Sequence, residues 1–409
     1  MTAIFYFSSM NPSINKLNII AQKPSRLIIG LMSGTSLDGL DISLNRIYNS
    51  GLQTKVELLF FETIPYNKSF KEDVLSIFSK KEASIEKLCL LNASIGILHA
   101  QMINNALKKW GIKNSDVDAI ASHGQTIYHA PKIFHKNANY PNATLQIGDG
   151  DHIAVNTGII TISDFRQKNI AAGGEGAPLA LYGDYVLYSS ELENRVLLNI
   201  GGIANFTYLP KTNSNEKIIC TDTGPGNTLM DAFVRANYHH LECDFNAEIA
   251  LKGSVNLNLL KALSENDYFL KEFPKTTGPE TFNLDFLNIV LQKTNITNIS
   301  NEDILATLNA FSANTIVSAL KHNIPHTHYA VYTSGGGIHN PLLIKNIKEQ
   351  LPQVQFNDTN ILQINPDAKE SVLFALLANE TLHGGTIQFP FGENEKLQYL
   401  TMGKISLPN

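Results

Sequence analysis

The stretch from Gly30 to Asp41 carries the densest set of chemically useful residues in the chain. It combines three glycines, three hydroxyl side chains and two carboxylates between two apolar runs. A tight turn of this composition can direct backbone N–H groups and hydroxyls at phosphate oxygens, and Asp38 and Asp41 are spaced to hold Mg2+ through water. The alternative is a hairpin turn in which glycine only supplies the backbone conformation. The length and hydroxyl content of the stretch favour the phosphate-binding interpretation.

This turn differs from two common phosphate-binding motifs. Residues 27–29 before it predict a buried strand, and the alternation of apolar and polar residues from 40 to 45 predicts a second strand. The Walker motif and the dinucleotide fingerprint both lead from a strand into a helix, and the Walker motif ends in Gly-Lys-Ser/Thr. Neither feature is present here, so we expect a strand–turn–strand unit that binds phosphate in another way.

Two aspartates are candidates for a general base. Asp222 follows a predicted strand at 218–221 and precedes a Thr-Gly-Pro-Gly-Asn run, which keeps a loop tight and close to a ligand. Its alternative role is to cap the helix that is predicted to follow. Asp164 is the rival base, but Arg166 lies two residues later and can pair with it or bind an anionic substrate group. An acid beside an arginine is more often a binding or structural residue than a base.

Two further motifs have the chemistry of ligand contacts. Gly335–Gly337 follows an apolar strand and lets a flat ring such as adenine lie against bare backbone, although a sharp strand-to-helix turn has the same sequence. His123 and Gln125 follow a predicted strand at 118–122, where catalytic loops commonly begin. We expect them to hydrogen-bond sugar hydroxyls, while a structural role for the histidine is the alternative.

Strands and helices alternate around these motifs, and one arrangement occurs twice. A strand, a glycine turn and a second strand occupy 27–44 and again 196–209, the second time around Gly201 and Gly202. Because of this repeat we expect a duplicated α/β domain in which one glycine turn from each half faces a shared cleft. The other predicted strands are 56–64, 118–122, 144–148, 159–162, 218–221 and 329–333, and the predicted helices are 69–79, 84–110, 228–236, 302–322 and 369–382.

Length and composition limit the possible classes of protein. A chain of 409 residues exceeds the size at which one core stops growing, so two domains are expected. The net charge is −5 and no block of like charge occurs, which does not predict a nucleic-acid surface. No segment approaches the ~20 apolar residues of a membrane span. The chain is therefore predicted to bind a small molecule and neither nucleic acid nor membrane.

The cysteines and the N-terminus predict a cytoplasmic protein. Three widely spaced cysteines are an odd number for a disulfide framework and indicate reduced thiols. His239, His240 and Cys243 lack a second ligand pair at metal spacing, which argues against zinc. The start of the chain has neither the basic region nor the apolar length of a signal peptide, so residues 1–25 are predicted to be a loose extension.

Several of these motifs occur together, in the same order, in one known family. The motifs are Gly30–Asp41, Ser122–Thr126, Asp164–Arg166, Asn199–Asn205, Asp222–Asn227, Lys275–Gly278, Phe282 with Asn283, and Gly335–Gly337 with Asn340. The chain resembles the anhydro-N-acetylmuramic acid kinase family of the actin, sugar kinase and heat-shock ATPase superfamily. The similarity extends from about residue 26 to the C-terminus.

The resemblance implies an α/β fold of two duplicated ribonuclease-H-like domains, as in actin-like ATPases, flanking an interdomain ATP cleft. We assign residues 1–25 to an N-terminal extension, 26–168 plus 388–409 to domain I, and 169–387 to domain II. The resemblance also implies a homodimer and a role in cell-wall recycling. The implied reaction converts 1,6-anhydro-N-acetylmuramate, water and ATP into N-acetylmuramate 6-phosphate and ADP.

The resemblance implies roles in this reaction for the turn from Gly34 to Asp41, for Asp222 and for Glu370. Asp222 would remove a proton from water as it attacks C1, the 1,6-bridge would open, and O6 would take the γ-phosphoryl group of ATP, with Glu370 assisting near C1. The predicted nucleotide-binding residues are Gly34, Thr35, Ser36, Leu37, Asp38, Gly39, Leu40, Asp41, Gly201, Gly202, Gly335, Gly336 and Gly337. The predicted substrate-binding residues are His123, Gln125, Asp164 and Arg166, and the predicted Mg2+ contact is Asp38, through water.

The chain departs from the family pattern at a few positions. Glu175 stands where a glutamine is expected, Gln167–Asn169 replaces a more charged run, and residues 1–25 have no counterpart in the pattern. Two other functions remain open from the sequence. One is a kinase of the same fold that acts on an ordinary sugar hydroxyl, and the other is a non-catalytic ATP switch, for which the sequence lacks an evident tail or partner module.

Overall fold

The computed structural model describes residues 10–296, 298–358, 366–383 and 400–409. The chain divides into two compact units, which we call unit 1 (residues 1–187 and 364–409) and unit 2 (residues 188–363). Each unit is built on its own β-sheet. Residues 1–9 of the predicted extension and the predicted boundary at 387/388 lie outside the described residues.

Twelve strands and thirteen α-helices lie within the described ranges. The strands are β1 (Ser25–Ser33), β2 (Gly39–Tyr48), β3 (Lys55–Pro65), β4 (Ala119–Ala130), β5 (Ala143–Ile147), β6 (Thr161–Ser163), β7 (Arg195–Ile200), β8 (Ile203–Leu209), β9 (Ile219–Pro225), β10 (Ala330–Ser334), β11 (Gln355–Asp358) and β12 (Lys404–Ser406). The helices are α1 (Pro12–Ala21), α2 (Lys68–Leu75), α3 (Ile85–Trp110), α4 (Lys132–His135), α5 (Gly150–Thr157), α6 (Arg166–Ala171), α7 (Ala180–Tyr188), α8 (Thr228–Asn237), α9 (Leu257–Leu263), α10 (Leu284–Thr294), α11 (Asn301–Asn323), α12 (Pro341–Gln350) and α13 (Lys369–His383).

The two sheets share one topology. In unit 1 the strand order is β12-β6-β4-β1-β2-β3, with β5 paired to β4, and in unit 2 it is β11-β10-β7-β8-β9. Strands β1, β2 and β3 form an antiparallel meander, and β4 and β6 continue the sheet in parallel with β1. Strands β7, β8 and β9, with β10 and β11, repeat this pattern. The repeated order confirms the prediction of duplicated ribonuclease-H-like domains.

The cores follow from the sequence pattern. Strand β1 reads as a near-continuous apolar run, typical of a strand covered on both faces, and Ile28, Ile29 and Leu31 are at most 1% exposed. Helix α3 begins at the predicted position, where the Ser84 hydroxyl accepts a hydrogen bond from the Lys87 N–H, and ends at Gly111 with φ of 71°. In unit 2 the long helix α11 is buried along most of its length.

The domain limits differ from the predicted ones. Residues 169–187 and helix α13 were assigned to domain II, whereas their contacts place them in unit 1. Helix α13 packs on β1 so closely that a Cβ on Gly30 would lie 1.8 Å from the Ser371 carbonyl oxygen. An ion pair of 2.8 Å between Lys369 and Asp184 joins α13 to α7. These contacts join segments that are far apart in the sequence, which the linear pattern does not reveal.

The predicted loose extension is wrong for residues 10–25. Residues 12–21 form helix α1, which is capped by Asn11, and Ile20 is 2% exposed. The buried Arg26 side chain holds the end of this helix by donating to the carbonyl oxygens of Ile20 at 3.0 Å and Ala21 at 2.6 Å. It also donates to Asn379 Oδ1 of α13, so the segment is tied into unit 1.

Candidate active site

The turn between β1 and β2 is held in place by one apolar side chain. Leu37 adopts a positive φ of 57°, which is costly for a residue with a branched side chain. Its side chain is only 2% exposed and packs in an apolar cluster with residues such as Val74 and Ile95. Thr35, Ser36 and Asp38 on either side are exposed. The buried leucine thus fixes a turn whose polar groups face solvent.

Two glycines of this turn have different constraints. A Cβ on Gly39 would lie 2.5 Å from the Ile64 carbonyl oxygen, so the fold itself requires glycine there. A Cβ on Gly34 would meet only the Ser36 hydroxyl, at the ordinary contact distance of 3.6 Å. The protein therefore leaves the backbone of Gly34 uncovered, as is needed where a ligand approaches the main chain.

A buried polar network lies behind the turn. The Ser33 hydroxyl donates to Gln125 Oε1 at 2.5 Å, and the Tyr66 hydroxyl donates to Ser33 Oγ at 2.9 Å. His99 Nε2 lies 2.9 Å from the Tyr66 hydroxyl oxygen, and burial lowers the pKa of His99 to about 4, so the ring is neutral and donates through Nε2. Gln125 also donates to the Gly34 carbonyl at 3.3 Å and is fully buried. Its side chain supports the turn and does not face solvent, contrary to the sugar contact expected from the sequence.

His123 is likewise buried and serves Arg166. Its Nδ1 contacts the Gly124 carbonyl at 2.9 Å, and its Nε2 accepts from Arg166 Nε at 3.0 Å. Burial, together with the Arg166 charge, lowers the pKa of His123 to about 3, which keeps the ring neutral and able to accept from the guanidinium. Arg166 also donates through Nη1 to the Gly176 carbonyl at 2.7 Å. His123 is thus placed to orient Arg166, and its buried ring is not placed to contact a sugar directly.

Strand β4 explains why these two residues are buried. The sequence interpretation ended this strand at residue 122, whereas β4 continues to Ala130 and its outer half pairs with β5. Gly124, with φ of 73°, and an irregular register between Thr126 and Tyr128 bend the strand without ending it. His123 and Gln125 therefore lie inside a sheet and not on a loop.

Two predicted site residues of unit 1, Asp41 and Glu370, have carboxyl groups with raised pKa values. Burial raises the pKa of Asp41, against the effect of the Thr63 hydroxyl, which donates to Asp41 Oδ1 at 2.6 Å. Glu370 is an exposed residue at the start of α13, and desolvation by the surrounding protein raises the pKa of its carboxyl group. The Asp41 charge raises the pKa of Glu370 further, and Arg166 opposes it. Glu370 is thus electrostatically coupled to both residues and suited to proton transfer.

Asp164 has a different environment from these acids. It adopts a positive φ of 56° directly after β6, and its Oδ2 forms an ion pair of 2.5 Å with Lys404 of β12. The pair engages one of the two carboxylate oxygens and links the end of β6 to β12. The geometry therefore supports the sequence interpretation that Asp164 is a binding or structural residue and not the base.

Asp222 is the corresponding acid of unit 2, and it lies within β9. The strand continues to Pro225, past the predicted end at Thr221. The Thr277 N–H donates to Asp222 Oδ2 at 2.9 Å, and none of the described residues donates to Oδ1. Burial raises the pKa of Asp222, and the bond from Thr277 opposes this shift. The carboxylate is therefore half-buried, fixed at one oxygen and open at the other, as a general base must be.

The glycine motifs of unit 2 lie together at one edge of its sheet. The turn Gly201–Gly202 joins β7 to β8, and Gly335 follows β10, which is the parallel neighbour of β7. A Cβ on Gly335 would lie 2.7 Å from the Ile200 carbonyl oxygen, and its φ is 85°, so this turn requires glycine. The structure therefore brings together two motifs that are more than a hundred residues apart.

The sequence interpretation missed a row of polar residues across this sheet. Strand pairing places Asn205 of β8 opposite both Asn199 of β7 and Asp222 of β9, and Ser334 of β10 opposite Asn199. Directly opposed residues share a face of the sheet, so half-buried polar side chains line up beside Asp222. The two asparagines at the ends of the Asn199–Asn205 motif were the available signal, but the strand partners are set by the fold.

The described residues offer no preformed metal site. They contain no cluster of three or more His, Cys, Asp or Glu residues able to hold a metal by themselves. A Mg2+ ion that arrives with a nucleotide needs only one or two protein carboxylates besides the phosphates, and the exposed Asp38 with the nearby Asp41 fits that need. Across the same ranges, no helix has the length and apolar character to cross a membrane.

Known proteins resemble this chain over almost its entire length. A family model described as anhydro-N-acetylmuramic acid kinase matches residues 26–392. The protein of that name from Pseudoalteromonas atlantica is 53% identical over 403 residues, which are 98% of this chain and 100% of the relative. The protein of that name from Caldanaerobacter subterraneus subsp. tengcongensis is 41% identical over 398 residues, 96% of this chain and 100% of the relative. Since the first alignment covers 98% of the chain, most of residues 1–25 have a counterpart, contrary to expectation. The chain belongs to the anhydro-N-acetylmuramic acid kinase family.

Proposed function

We propose that this chain is an ATP-dependent kinase that opens 1,6-anhydro-N-acetylmuramate with water and phosphorylates the released O6. The products are N-acetylmuramate 6-phosphate and ADP, and the reaction belongs to cell-wall recycling in the cytoplasm. Family membership, with 53% identity to a relative of that name, supports the choice of substrate. The observation that carries the mechanism is the half-fixed carboxylate of Asp222.

In this mechanism Asp222 is the general base. Its Oδ2 is occupied by the Thr277 N–H at 2.9 Å, which leaves Oδ1 to accept a proton from the attacking water. As the water oxygen bonds to C1, the bond from C1 to O6 breaks and O6 carries the electron pair. O6 then forms a bond to the γ-phosphorus of ATP, and ADP leaves. The raised pKa of Asp222 makes it a better proton acceptor than an ordinary aspartate.

Glu370 is proposed to act near C1 of the sugar. Its carboxyl pKa is raised by burial and by the charge of Asp41, so it holds a proton more readily than an ordinary glutamate. Arg166, oriented by His123, supplies a guanidinium for an anionic group of the substrate, such as the lactyl carboxylate. Asp164, paired with Lys404, and the fully buried Gln125 are assigned to the same substrate region as supporting residues.

Nucleotide-binding roles are proposed for the turn from Gly34 to Asp41 in unit 1 and, independently of it, for the glycine motifs of unit 2. The uncovered Gly34 backbone and the hydroxyls of Thr35 and Ser36 would face phosphate oxygens, while Gly39 and Leu40 shape the turn. Gly201, Gly202 and Gly335–Gly337 would offer bare backbone to the nucleoside. Asp38 would hold Mg2+ through water, and the ion would supply charge compensation for the phosphates. The family resemblance further supports a homodimer as the functional assembly.

A turnover assay tests the substrate assignment. The chain is incubated with ATP, Mg2+ and 1,6-anhydro-N-acetylmuramate, and ADP release is followed alongside the sugar product by mass spectrometry. We expect a 6-phosphorylated product, with turnover on plain hexoses and N-acetylhexosamines at least about 100-fold lower, because the anhydro bridge supplies the leaving O6. Equal or faster turnover on an ordinary hydroxyl would overturn the assignment.

A further inference from the structure

A segment of unit 2 holds Asp222 from its backbone as well as from its carboxylate. We call this segment, residues 267–277, the clamp. The Asp222 N–H donates to the Lys275 carbonyl at 3.0 Å, and the Tyr268 hydroxyl donates to the Asp222 carbonyl at 2.9 Å. The Thr277 N–H donates to Asp222 Oδ2 at 2.9 Å. The position and rotamer of Asp222 therefore depend on the conformation of the clamp.

The ammonium of Lys275 lies at the centre of the clamp. Nζ donates to the carbonyl oxygens of Tyr268 and Lys271, both at 3.2 Å, and is 3.5 Å from that of Phe269. It also lies 4.1 Å from the ring centroid of Phe273 and 4.7 Å from that of Tyr268. Carbonyl dipoles and aromatic faces together replace the water that burial removes. The Lys275 ammonium thus holds residues 268–271 of the clamp close to residue 275.

The main chain of Lys275 joins the clamp to β9. Its N–H donates to Thr221 Oγ1 at 2.9 Å, and the Thr221 hydroxyl donates back to the Lys275 carbonyl at 3.0 Å. Thr221 is the residue before Asp222, and both Thr221 and Lys275 are buried. One lysine therefore connects the internal bonds of the clamp with the strand that carries the proposed base.

We propose that Lys275 is a positioning residue for Asp222. Its ammonium keeps the clamp in the conformation in which the Thr277 N–H occupies Oδ2 and Oδ1 remains available to water. Lys275 does not touch the reacting atoms, and its effect passes through the clamp backbone. This inference rests on the proposed function, because it takes Asp222 to be the base.

The alternative is that Lys275 only stabilises the local fold, and a pH profile separates the two. The bond from Thr277 lowers the pKa of Asp222. If the clamp loosens, this bond weakens, the pKa of Asp222 rises, and the acidic limb of the kcat/KM profile moves to higher pH. A purely structural role would lower the fraction of active protein and leave the limb where it is.

The experiment compares three full-length variants with the wild type. Lys275→Met keeps the length of the side chain and removes the charge, and Tyr268→Phe keeps the ring and removes the hydroxyl that donates to Asp222. Lys293→Met is the matched control, because its exposed side chain in α10 changes in the same way and lies outside the clamp. The readouts are the pH profile of kcat/KM and a 13C NMR titration of the Asp222 carboxyl, which is identified by its absence in Asp222→Asn.

For Lys275→Met we expect kcat to fall about 10- to 100-fold and the acidic limb to rise by roughly 0.5 to 1 pH unit, from the loss of geometry and of the Thr277 bond. Tyr268→Phe should move the limb in the same direction by less, and Lys293→Met should not move it. Tyr268→Phe decides the question if Lys275→Met does not fold. An unchanged limb in the folded variants, or an equal shift in Lys293→Met, would overturn the inference.

The same experiment separates this inference from the proposed function. If Asp222→Asn retains turnover, the assignment of the base fails, whatever the clamp does. The NMR titration still measures the Asp222 pKa in that case. A raised pKa in Lys275→Met would then support the clamp, and an unchanged pKa would count against it.

Discussion

The turns β1–β2 and β7–β8 occupy the same position in two sheets of the same topology, yet they are built differently. The first spans residues 34–38 and is anchored by the buried Leu37, so that hydroxyls and Asp38 face outward. The second is only Gly201–Gly202, and its carbonyl oxygens accept hydrogen bonds from the N–H groups of residues 226–228. The first turn therefore exposes polar side chains, whereas the second exposes only backbone, whose carbonyl groups are already hydrogen-bonded. The two turns share a position in the fold but differ in the groups that they can present to a ligand.

The acidic residues of the two units also differ in the groups that surround them. In unit 1, Asp41 and Glu370 interact electrostatically, and Asp164 is paired with Lys404. In unit 2, Asp222 is raised in pKa by burial and is held by the main chain of the clamp. A base must present a free oxygen in a fixed direction, and Asp222 meets this condition better than Asp164.

The largest effect on kcat is expected when Asp222 and Asp164 are replaced by asparagine in separate variants. Asp222→Asn removes the proton acceptor at nearly constant shape, so kcat should fall by about 1,000-fold, while ATP affinity measured by calorimetry stays near that of the wild type. Asp164→Asn should lower kcat less than about 10-fold, because it removes only the pairing with Lys404. The reverse order of effects would move the base into unit 1.

Smaller effects, on ATP binding and on stability, are expected when Gly34 or Gly39 of the first turn is replaced by alanine. Gly34→Ala adds a methyl group where the protein leaves room, so the free energy of unfolding should change by less than about 0.5 kcal/mol. The KM for ATP should rise about 10-fold, because the methyl group meets the phosphates. In Gly39→Ala the new Cβ would lie 2.5 Å from the Ile64 carbonyl, which should cost about 1–3 kcal/mol of stability.

The glycine comparison rests on two measurements in the same preparation, chemical denaturation and ATP titration. Loss of stability in Gly34→Ala with an unchanged KM for ATP would show that this glycine serves the fold, and the assignment of the turn to the nucleotide would lose its support.

Acid should weaken unit 1 more than unit 2. His99 and His123 are buried and neutral, with pKa values lowered to about 4 and about 3, whereas unit 2 has no buried histidine among its described residues. As pH falls below about 6.5 the unfolded state binds protons that the folded state does not, so stability declines toward pH 4, by about 2 kcal/mol per histidine at pH 5.

Hydrogen exchange at pH 7 and pH 5, corrected for intrinsic rates, measures this difference. Protection of the amides of β1 and β4 should fall at least about tenfold, while β7 and β8 change little. His99→Gln keeps a donor for Tyr66 but cannot titrate, so it should lose about half of the pH dependence. Equal loss of protection in both sheets would contradict the assignment of the acid sensitivity to these histidines.

The smallest effect is expected from Lys404→Met. The side chain of Lys404 is 64% exposed and that of Asp164 is 26% exposed, so water screens their ion pair. The free energy of unfolding should fall by less than about 1 kcal/mol in chemical denaturation. A loss of several kcal/mol would show that β12 depends on this pair and would give Asp164 a larger structural role.

The sequence predicts the individual strands and helices well, because the spacing of apolar residues and the residues that form turns and caps are local signals. The strand–turn–strand units around Gly34 and Gly201 and the ends of α3 at Ser84 and Gly111 appear as expected. The repeated sheet order follows from the same units. These features depend on neighbours within a few residues, which a linear pattern records.

Contacts between distant segments were not predictable in this way. Gln125 has the chemistry of a sugar ligand, but the continuation of β4 buries it against Ser33. The sequence shows Lys275 only as the first residue of the Lys275–Gly278 motif, and the carbonyls and rings around its ammonium come from the folded clamp. The position of α13 in unit 1 likewise depends on packing against a strand about 340 residues earlier, Gly30 against Ser371.

The origin of the oxygen at C1 is the most direct test of the central claim. The wild-type chain is incubated with ATP, Mg2+ and 1,6-anhydro-N-acetylmuramate in 18O-labelled water, and the 6-phosphorylated product is analysed by mass spectrometry with fragmentation, quenched before the sugar ring exchanges its anomeric oxygen. Attack of water activated by Asp222 predicts one 18O atom at C1 and none in the phosphate. Product without label at C1, or label in the phosphate group, would contradict the account.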